Sequence, residues 1–313
     1  MRSHVRFLII GLLFAALALA PGLAFVPSNG VQAAPNPPQH APSTKPATLS
    51  PSDYTFVDLG ALAVPSGRHV DSFATAISNA GDIIGRSTST ALLGRSPVVW
   101  VGRQIYELPG LIDQYSINAS GISEAGRIVG ATGTGSDPNA PCPGQSRAVL
   151  WENRVPIDLN DRLPANSPWV LCEAYDISDD GGVVRLVGYS TLNNVRTGFL
   201  WEDGTLTELR TPGQHHSWPL ALTSGAAKIV GVGIGPESEP GPILWERNST
   251  GGYDARDVGA LSYPGFPWRV SEGGNIVGYR GAYNNPQAIL WDRTSTGGYA
   301  ARDLGTPGET SVA

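Results

Sequence analysis

From Phe73 onward the chain alternates short apolar runs with tight polar turns, and the alternation recurs in a fixed order. A first run resembles "FATAIS" at Phe73. A turn such as "NAGD", Asn79 to Asp82, leads to a second run that ends on Gly85, "GDIIG". After a variable stretch comes a third run closed by tryptophan, "PVVW" at Trp100. A turn of the "EDGT" type, seen at Glu202, leads to a fourth run of the "LTEL" type. Runs of four to six residues rich in Val, Ile and Leu, bounded by Asn, Asp and Gly, are strand signals. Asn-x-Gly and Asp-Gly turns supply the positive φ angles that short hairpins need.

The quartet occurs five times, with a spacing of 44–51 residues. Trp100, Trp151, Trp201, Trp245 and Trp291 close the third runs. Gly85, Gly130, Gly188, Gly231 and Gly278 close the second. The fourth runs carry Glu107-Leu108, Asp158-Leu159, Glu208-Leu209, Asp257-Val258 and Asp303-Leu304. Units four and five share an almost identical stretch, "ILWERNSTGGYDARDVG" from Ile243 and "ILWDRTSTGGYAARDLG" from Ile289, the mark of a late duplication within the array. Four antiparallel strands repeated at this period are the requirement of a β-propeller blade, so the expected fold is all-β, a single ring of five four-stranded blades over residues 54–308.

"AISNAGDIIGRS" (Ala76 to Ser87), "ISEAGRIVG" (Ile122 to Gly130), "GFLWEDGTLTEL" (Gly198 to Leu209) and "DLGTPG" (Asp303 to Gly308) resemble the HAF-repeat family of bacterial extracellular proteins. The resemblance runs from residue 54 to about 308. It implies secretion and a propeller-like fold; the family has no general assigned activity, so it implies no catalytic residues. Unit three departs in "SDDGGVVRLVG" (Ser178 to Gly188), and unit four in "TSGAAK" (Thr223 to Lys228). "YTFVDLG", Tyr54 to Gly60, reads as a fourth-type strand with no partners before it: either an added edge strand or a sign of a different ring closure.

The N-terminus sets the compartment. Arg2 and Arg6 precede an apolar run from Phe7 to Ala20, and Val31-Gln32-Ala33 is a small-residue cleavage pattern, so residues 1–33 read as a secretion signal cut after Ala33. The competing reading is a retained anchor, since Phe7 to Val26 is long enough to span a bilayer, although Pro21 and Gly22 interrupt it. Either reading puts the remainder outside the cytoplasm. Residues 34–53, with Pro35, Pro37, Pro38, Pro42, Pro46 and Pro51, form a disordered linker. The 313-residue chain holds 39 Gly and 26 Pro with 15% charged residues, which disfavours long helices. At a net charge of -6 with scattered Lys and Arg, it offers no stripe to nucleic acid.

Cys142 and Cys172 are the only cysteines; an oxidising compartment and a shared face of the ring predict a disulfide between them. Without clustered His they do not make a zinc site. Asp176, Asp179, Asp180 and Gly181 look like fragments of a calcium loop but lack its spacing, and read as residues of the turn between first and second strands. His69, His215 and His216 read as solvated loop residues. The acid of each fourth strand (Asp58, Glu107, Asp158, Glu208, Asp257, Asp303) recurs once per unit, as a structural hydrogen bond or solvated face does and a catalytic group does not. The five tryptophans read as core between neighbouring blades.

Outside the repeat register stand Tyr115, Trp169, Trp218, Tyr263, Phe266 and Trp268, placed by their position between units in the connections from fourth to first strands, beside stiffening prolines. They are the candidate binding residues, with Trp169, Trp218 and Trp268 as anchors. The innermost strand is expected to be the first, whose residues are mostly small (Ala74, Ala119, Ala174, Pro219, Pro267) apart from the acids Glu173 and Asp176. The expected function is a secreted, non-catalytic binding or scaffold module for a protein or glycan, without cofactor or metal. The alternative is an extracellular glycan hydrolase, which requires carboxylates at a set separation around the channel.

Overall fold

A computed structural model describes residues 55–64, 70–89, 95–111, 115–134, 142–193, 195–211, 216–234, 240–259, 265–280 and 286–305. The secretion signal, the linker, Tyr54, His69, His215 and Tyr263 lie outside the described residues. Twenty strands form five antiparallel sheets. Blade one is β1 (Ser72–Ile77), β2 (Ile83–Thr88), β3 (Arg95–Val101) and β4 (Gln104–Glu107). Blade two is β5 (Tyr115–Ile122), β6 (Ile128–Gly133), β7 (Arg147–Glu152) and β8 (Val155–Asp158). Blade three is β9 (Trp169–Ser178), β10 (Arg185–Leu192), β11 (Val195–Glu202) and β12 (Thr205–Leu209). Blade four is β13 (His216–Leu222), β14 (Lys228–Ile234), β15 (Gly241–Arg247) and β16 (Tyr253–Asp257). Blade five is β17 (Gly265–Val270), β18 (Ile276–Arg280), β19 (Gln287–Arg293) and β20 (Tyr299–Asp303).

The sheets are arranged as a five-bladed β-propeller, each blade built from four consecutive strands. The first strands of adjacent blades pack on one another from β1 to β17, so they are innermost. The surplus strand expected at Tyr54 to Gly60 does not form: residues 55–64 carry no strand. Every blade already holds four strands drawn from its own repeat, which leaves no vacant outer position for it to fill.

The glycine that closes each second strand has a steric cause. A Cβ on Gly85, Gly130, Gly188, Gly231 or Gly278 would lie 1.8–2.1 Å from a carbonyl oxygen of the neighbouring first strand. That approach arises at a bulge. In every inner strand the register slips by one residue just after the glycine's partner, leaving Thr75, Ser120, Tyr175, Leu220 and Trp268 outside the ladder.

The core lies between blades. Ile84, Val99 and Leu108 of blade one cluster with Ile128, Val149 and Trp151 of blade two. Val129, Leu150 and Leu159 meet Leu186, Phe199 and Trp201 in the same way. Val187, Leu200 and Leu209 meet Ile229, Ile243 and Trp245. Val230, Leu244 and Val258 meet Ile276, Ile289 and Trp291. The five repeat tryptophans are buried, as core tryptophans must be. Trp151 and Trp245 each donate Nε1–H, at 2.8 Å, to a carbonyl just beyond the preceding blade's last strand, at Pro109 and Arg210. Among the described residues, no strand of blade five packs on a strand of blade one as the other neighbours do.

Ion pairs and turn contacts repeat the same blade-to-blade order. Arg247 reaches back to Glu202 at 2.6 Å and Arg293 to Glu246 at 2.8 Å, each joining a blade to its predecessor. The turns after the inner strands of blades one, two and four also bond the turn of the next blade. Asn79 N–H donates to Glu124, Ala125 N–H and Ser123 Oγ–H to Asp179, and Ser224 N–H to Glu272. The acids of the fourth strands are structural. Glu107 accepts from Ser89, Asp158 from Asn160, and Asp257 and Asp303 from the amides of Gly259 and Gly305.

Candidate functional site: the inner rim

A bulge re-aims a side chain by removing it from the alternation of the strand. The bulged residues and those two positions before them (Phe73, Asn118, Glu173, Trp218 and Phe266) therefore form two tiers on the innermost strands. Most are small or apolar. Blade three is the exception. Asn118 of β5 donates its side-chain N–H to Glu173 Oε1 and accepts from Ala131 N–H at 2.9 Å. Tyr175 OH donates to Glu173 Oε2 at 3.2 Å. Burial pushes the Glu173 carboxyl above the ordinary range, and the hydrogen bonds from Asn118 and Tyr175 and the charge of Arg86 pull it part of the way back. Burial beside that carboxyl also raises the Tyr175 phenol.

The Tyr175 ring stacks on Tyr189 with centroids 6.1 Å apart. Both, with Trp218, pack around the Cys142–Cys172 disulfide, whose Cα atoms are 5.3 Å apart. The predicted bond is present, and it joins the long connection of blade two to the inner strand of blade three. His216 lies 6.3 Å from the Trp218 ring and contacts the Arg196 carbonyl. It begins β13 rather than sitting in a loop.

Asp176 corrects a second expectation. It lies in β9, not in the turn beyond it, because β9 continues through Ser178 before the chain reverses. Its Oδ2 accepts from Leu222 N–H of blade four at 3.1 Å, and its carboxyl is raised by burial against the opposing charge of Arg269. Asp179 and Asp180 do occupy the turn. Asp179 is held by Ser123, Ala125 and Arg127 of blade two, and Asp180 by Ser178 and Arg185. Among the described residues no three His, Cys, Asp or Glu converge as metal ligands would.

The predicted aromatic anchors are placed differently from one another and not in loops. Trp169, Trp218, Phe266 and Trp268 lie within inner strands, because pairing begins well before the small-residue position: Trp169 faces Leu192 and Gly265 faces Arg280. Trp169 packs on the core between blades two and three. Trp218 packs on the disulfide. Trp268 stays 55% exposed, 6.1 Å from the Tyr279 ring, which in turn stacks on Phe266 at 5.2 Å. Tyr115 begins β5. Sequence reading missed Asn118, Tyr189 and Tyr279; the signal was their offset of one residue from the repeat alanine or glycine.

No family model matches the chain, and no curated protein matches it. Among solved structures it is similar to TolB from Acinetobacter baumannii (12% identity, TM-score 0.48, 70% of this chain and 51% of that one). It is also similar to a protein designated TolB from Agrobacterium tumefaciens (16% identity, TM-score 0.49, 74% and 79%). A third is a gluconolactonase from Xanthomonas campestris (13% identity, TM-score 0.43, 73% of each). The chain spans about half the length of the Acinetobacter protein. At these identities no substrate or partner passes from them to this chain. A propeller serving as scaffold or binding module fits the fold.

Proposed function

We propose that this chain is a secreted, non-catalytic HAF-repeat propeller that binds an extracellular protein or glycan through the aromatic inner rim of blade five. The exposed Trp268 ring, backed by Tyr279 and Phe266, carries the reading. A large ring left in water on a pre-formed aromatic stack supplies contact area at little ordering cost, the feature of binding hot spots and of sugar-stacking platforms. The buried disulfide supports an oxidising, extracytoplasmic compartment. The test is capture on a panel of immobilised bacterial-surface glycans and cell-envelope proteins. Trp268→Ala is expected to fold with an unchanged melting temperature and to lose capture; undiminished capture overturns the reading.

Glycan hydrolysis is the second reading, favoured by the raised Glu173 carboxyl, which suits a general acid. Glu173 and Asp176 both come from β9, and both are already engaged, Glu173 by Asn118 and Tyr175 and Asp176 by Leu222 N–H. Release of reducing sugar by the wild type, abolished in Glu173→Gln with capture intact, would establish hydrolysis over simple binding.

A further inference from the structure

Blades three and five bring opposite charge to the ring. The chain from Trp169 to Leu209 holds seven acids and two arginines; from Gly265 to Gly305 it holds three acids and four arginines. Blade five is thus positive within a chain whose net charge is -6. Three of its arginines meet carboxylates: Arg280 meets Asp303 at 3.1 Å, Arg293 meets Glu246 at 2.8 Å and Arg302 meets Asp292 at 3.3 Å. Arg269 is held differently. Its Nη1 donates to the main-chain carbonyl of Trp268 at 2.9 Å. That bond fixes the guanidinium beside the exposed indole and spends one of its N–H donors on a neutral acceptor.

The bulge produces this neighbourhood. Consecutive residues of a regular strand point to opposite faces, so a half-buried strand exposes one of two neighbours and covers the other. Here the register slips between Pro267 and Arg269, and Trp268 and Arg269 are both exposed. The residue just after the bulge is Ala76, Gly121, Asp176 and Ala221 in the other blades. Three of these are small, and Asp176 already accepts from the Leu222 amide at 3.1 Å. Arg269 is therefore the cation of this inner tier. Its charge acts on Asp176 of β9, two blades away, which places it on the inner side of the ring.

An aromatic face backed by Tyr279 and Phe266 and flanked by a fixed guanidinium has a chemical complement. It is a sugar ring with an anionic group at its edge. The C–H face of a pyranose covers the indole, and a carboxylate or sulfate accepts from the remaining N–H groups of Arg269. A neutral sugar leaves the guanidinium to water, and an acidic peptide satisfies it without covering the indole.

We infer that the Trp268 rim is a subsite for an anionic sugar, with the pyranose face on Trp268 and its carboxylate or sulfate on Arg269. The inference rests on the reading of that rim as a binding surface, and it narrows the ligand to an acidic polysaccharide.

The experiment measures binding of the full chain, by titration calorimetry, to oligogalacturonate, its carboxyl-reduced neutral counterpart, dextran sulfate and poly-L-glutamate. The wild type is expected to bind an acidic sugar at least about tenfold more tightly than the neutral one. Preference for galacturonate assigns the carboxylate, and preference for dextran sulfate the sulfate. Arg269→Gln, at an exposed position that leaves the melting temperature unchanged, is expected to bring affinity for the acidic sugar down to that for the neutral one and to remove its salt dependence. Trp268→Ala is expected to weaken both. Poly-L-glutamate bound as tightly as the acidic sugars makes the occupant an acidic peptide and overturns the inference. So does acidic-sugar binding indifferent to Arg269→Gln, or no binding of either acidic sugar. Acidic and neutral sugars bound alike and lost in Trp268→Ala overturn the anionic subsite but leave the rim as a binding surface. Acidic-sugar binding that survives Trp268→Ala overturns both.

Discussion

Blades four and five carry nearly the same seventeen residues, and on the exit side, the side turned to the following repeat, the two copies differ where a neighbour intervenes. Their hairpins are the same: Asn248 N–H bonds Gly252 O at 2.8 Å, and Thr294 N–H bonds Gly298 O at 2.9 Å. Tyr253 and Tyr299 each donate to a carbonyl of their own blade, Ala226 and Gly274. Trp245 and Trp291 are both fully buried, since each has a preceding blade. The exit sides part company. Leu244 and Val258 are buried in a cluster with blade five; Leu290 is only partly buried and Leu304 is 43% exposed, and neither is part of a buried cluster among the described residues. Glu246 receives Arg293 from the next blade, whereas Asp292 is held by Arg302 of its own hairpin. Local sequence sets the hairpin, and the next blade sets the burial.

The largest effect should come from a tryptophan that locks a junction. Trp245→Ala removes a fully buried indole and its bond to Arg210 O, and is expected to cost about 3–5 kcal/mol by denaturant unfolding. A cost below about 1 kcal/mol would mean that the junction between blades three and four is not held there. Next is the covalent tie between blades two and three, which no other junction has. Replacing both Cys142 and Cys172 with Ser opens a loop closed over a separation of 30 residues, for an expected loss of about 3–4 kcal/mol on the chain-entropy account. Equal stability of the double variant and the reduced wild type checks that the bond, not the substitution, is responsible.

The repeat, the blade count, the tryptophan core and the disulfide were legible because each is written once per unit or lies in the only two cysteines. The bulge was not. Alternation predicts which face a residue takes only while the register holds, and at Tyr175 and Trp268 it slips. The extent of the inner strands was not legible either: pairing already begins at Trp169 and Gly265, which puts the aromatic residues in strands, and β9 runs on through Ser178, which keeps Asp176 out of the turn. The glycine of each second strand was a visible trace of the slip, since only the bulge brings a carbonyl within about 2 Å of the missing Cβ. The exposure of Leu304 was invisible for a different reason. It depends on whether another blade lies against the exit face, and Val258, with almost the same local sequence, is buried.

That pair sharpens the comparison further. Val258→Ala deletes two methyl groups from a buried position and is expected to cost about 2 kcal/mol. Leu304→Ala deletes three carbons from an exposed position and is expected to stay within about 0.5 kcal/mol. The smaller truncation should cost more. Equal costs would show that blade five's exit face is covered in solution.

The smallest effect contrasts the inner rims of blades three and five, one burying a carboxyl where the other packs Phe266. Because burial raises the Glu173 carboxyl in the folded chain, the native state holds that proton more tightly than the unfolded state does. Its contribution is therefore fully present below the unfolded value of about 4.3 and is lost as pH rises toward the folded value. Glu173→Gln cannot titrate, so the stability of the wild type relative to this variant should fall with rising pH, by about 1.4 kcal/mol per unit at most within that window. Asp176, raised by burial in the same way, is common to both proteins and cancels in the difference. Denaturant unfolding of the two at several pH values between about 4 and 8 reads the slope. A difference that rises with pH would mean that Asn118, Tyr175 and Arg86 outweigh burial, and that Glu173 is an ionised residue of the rim.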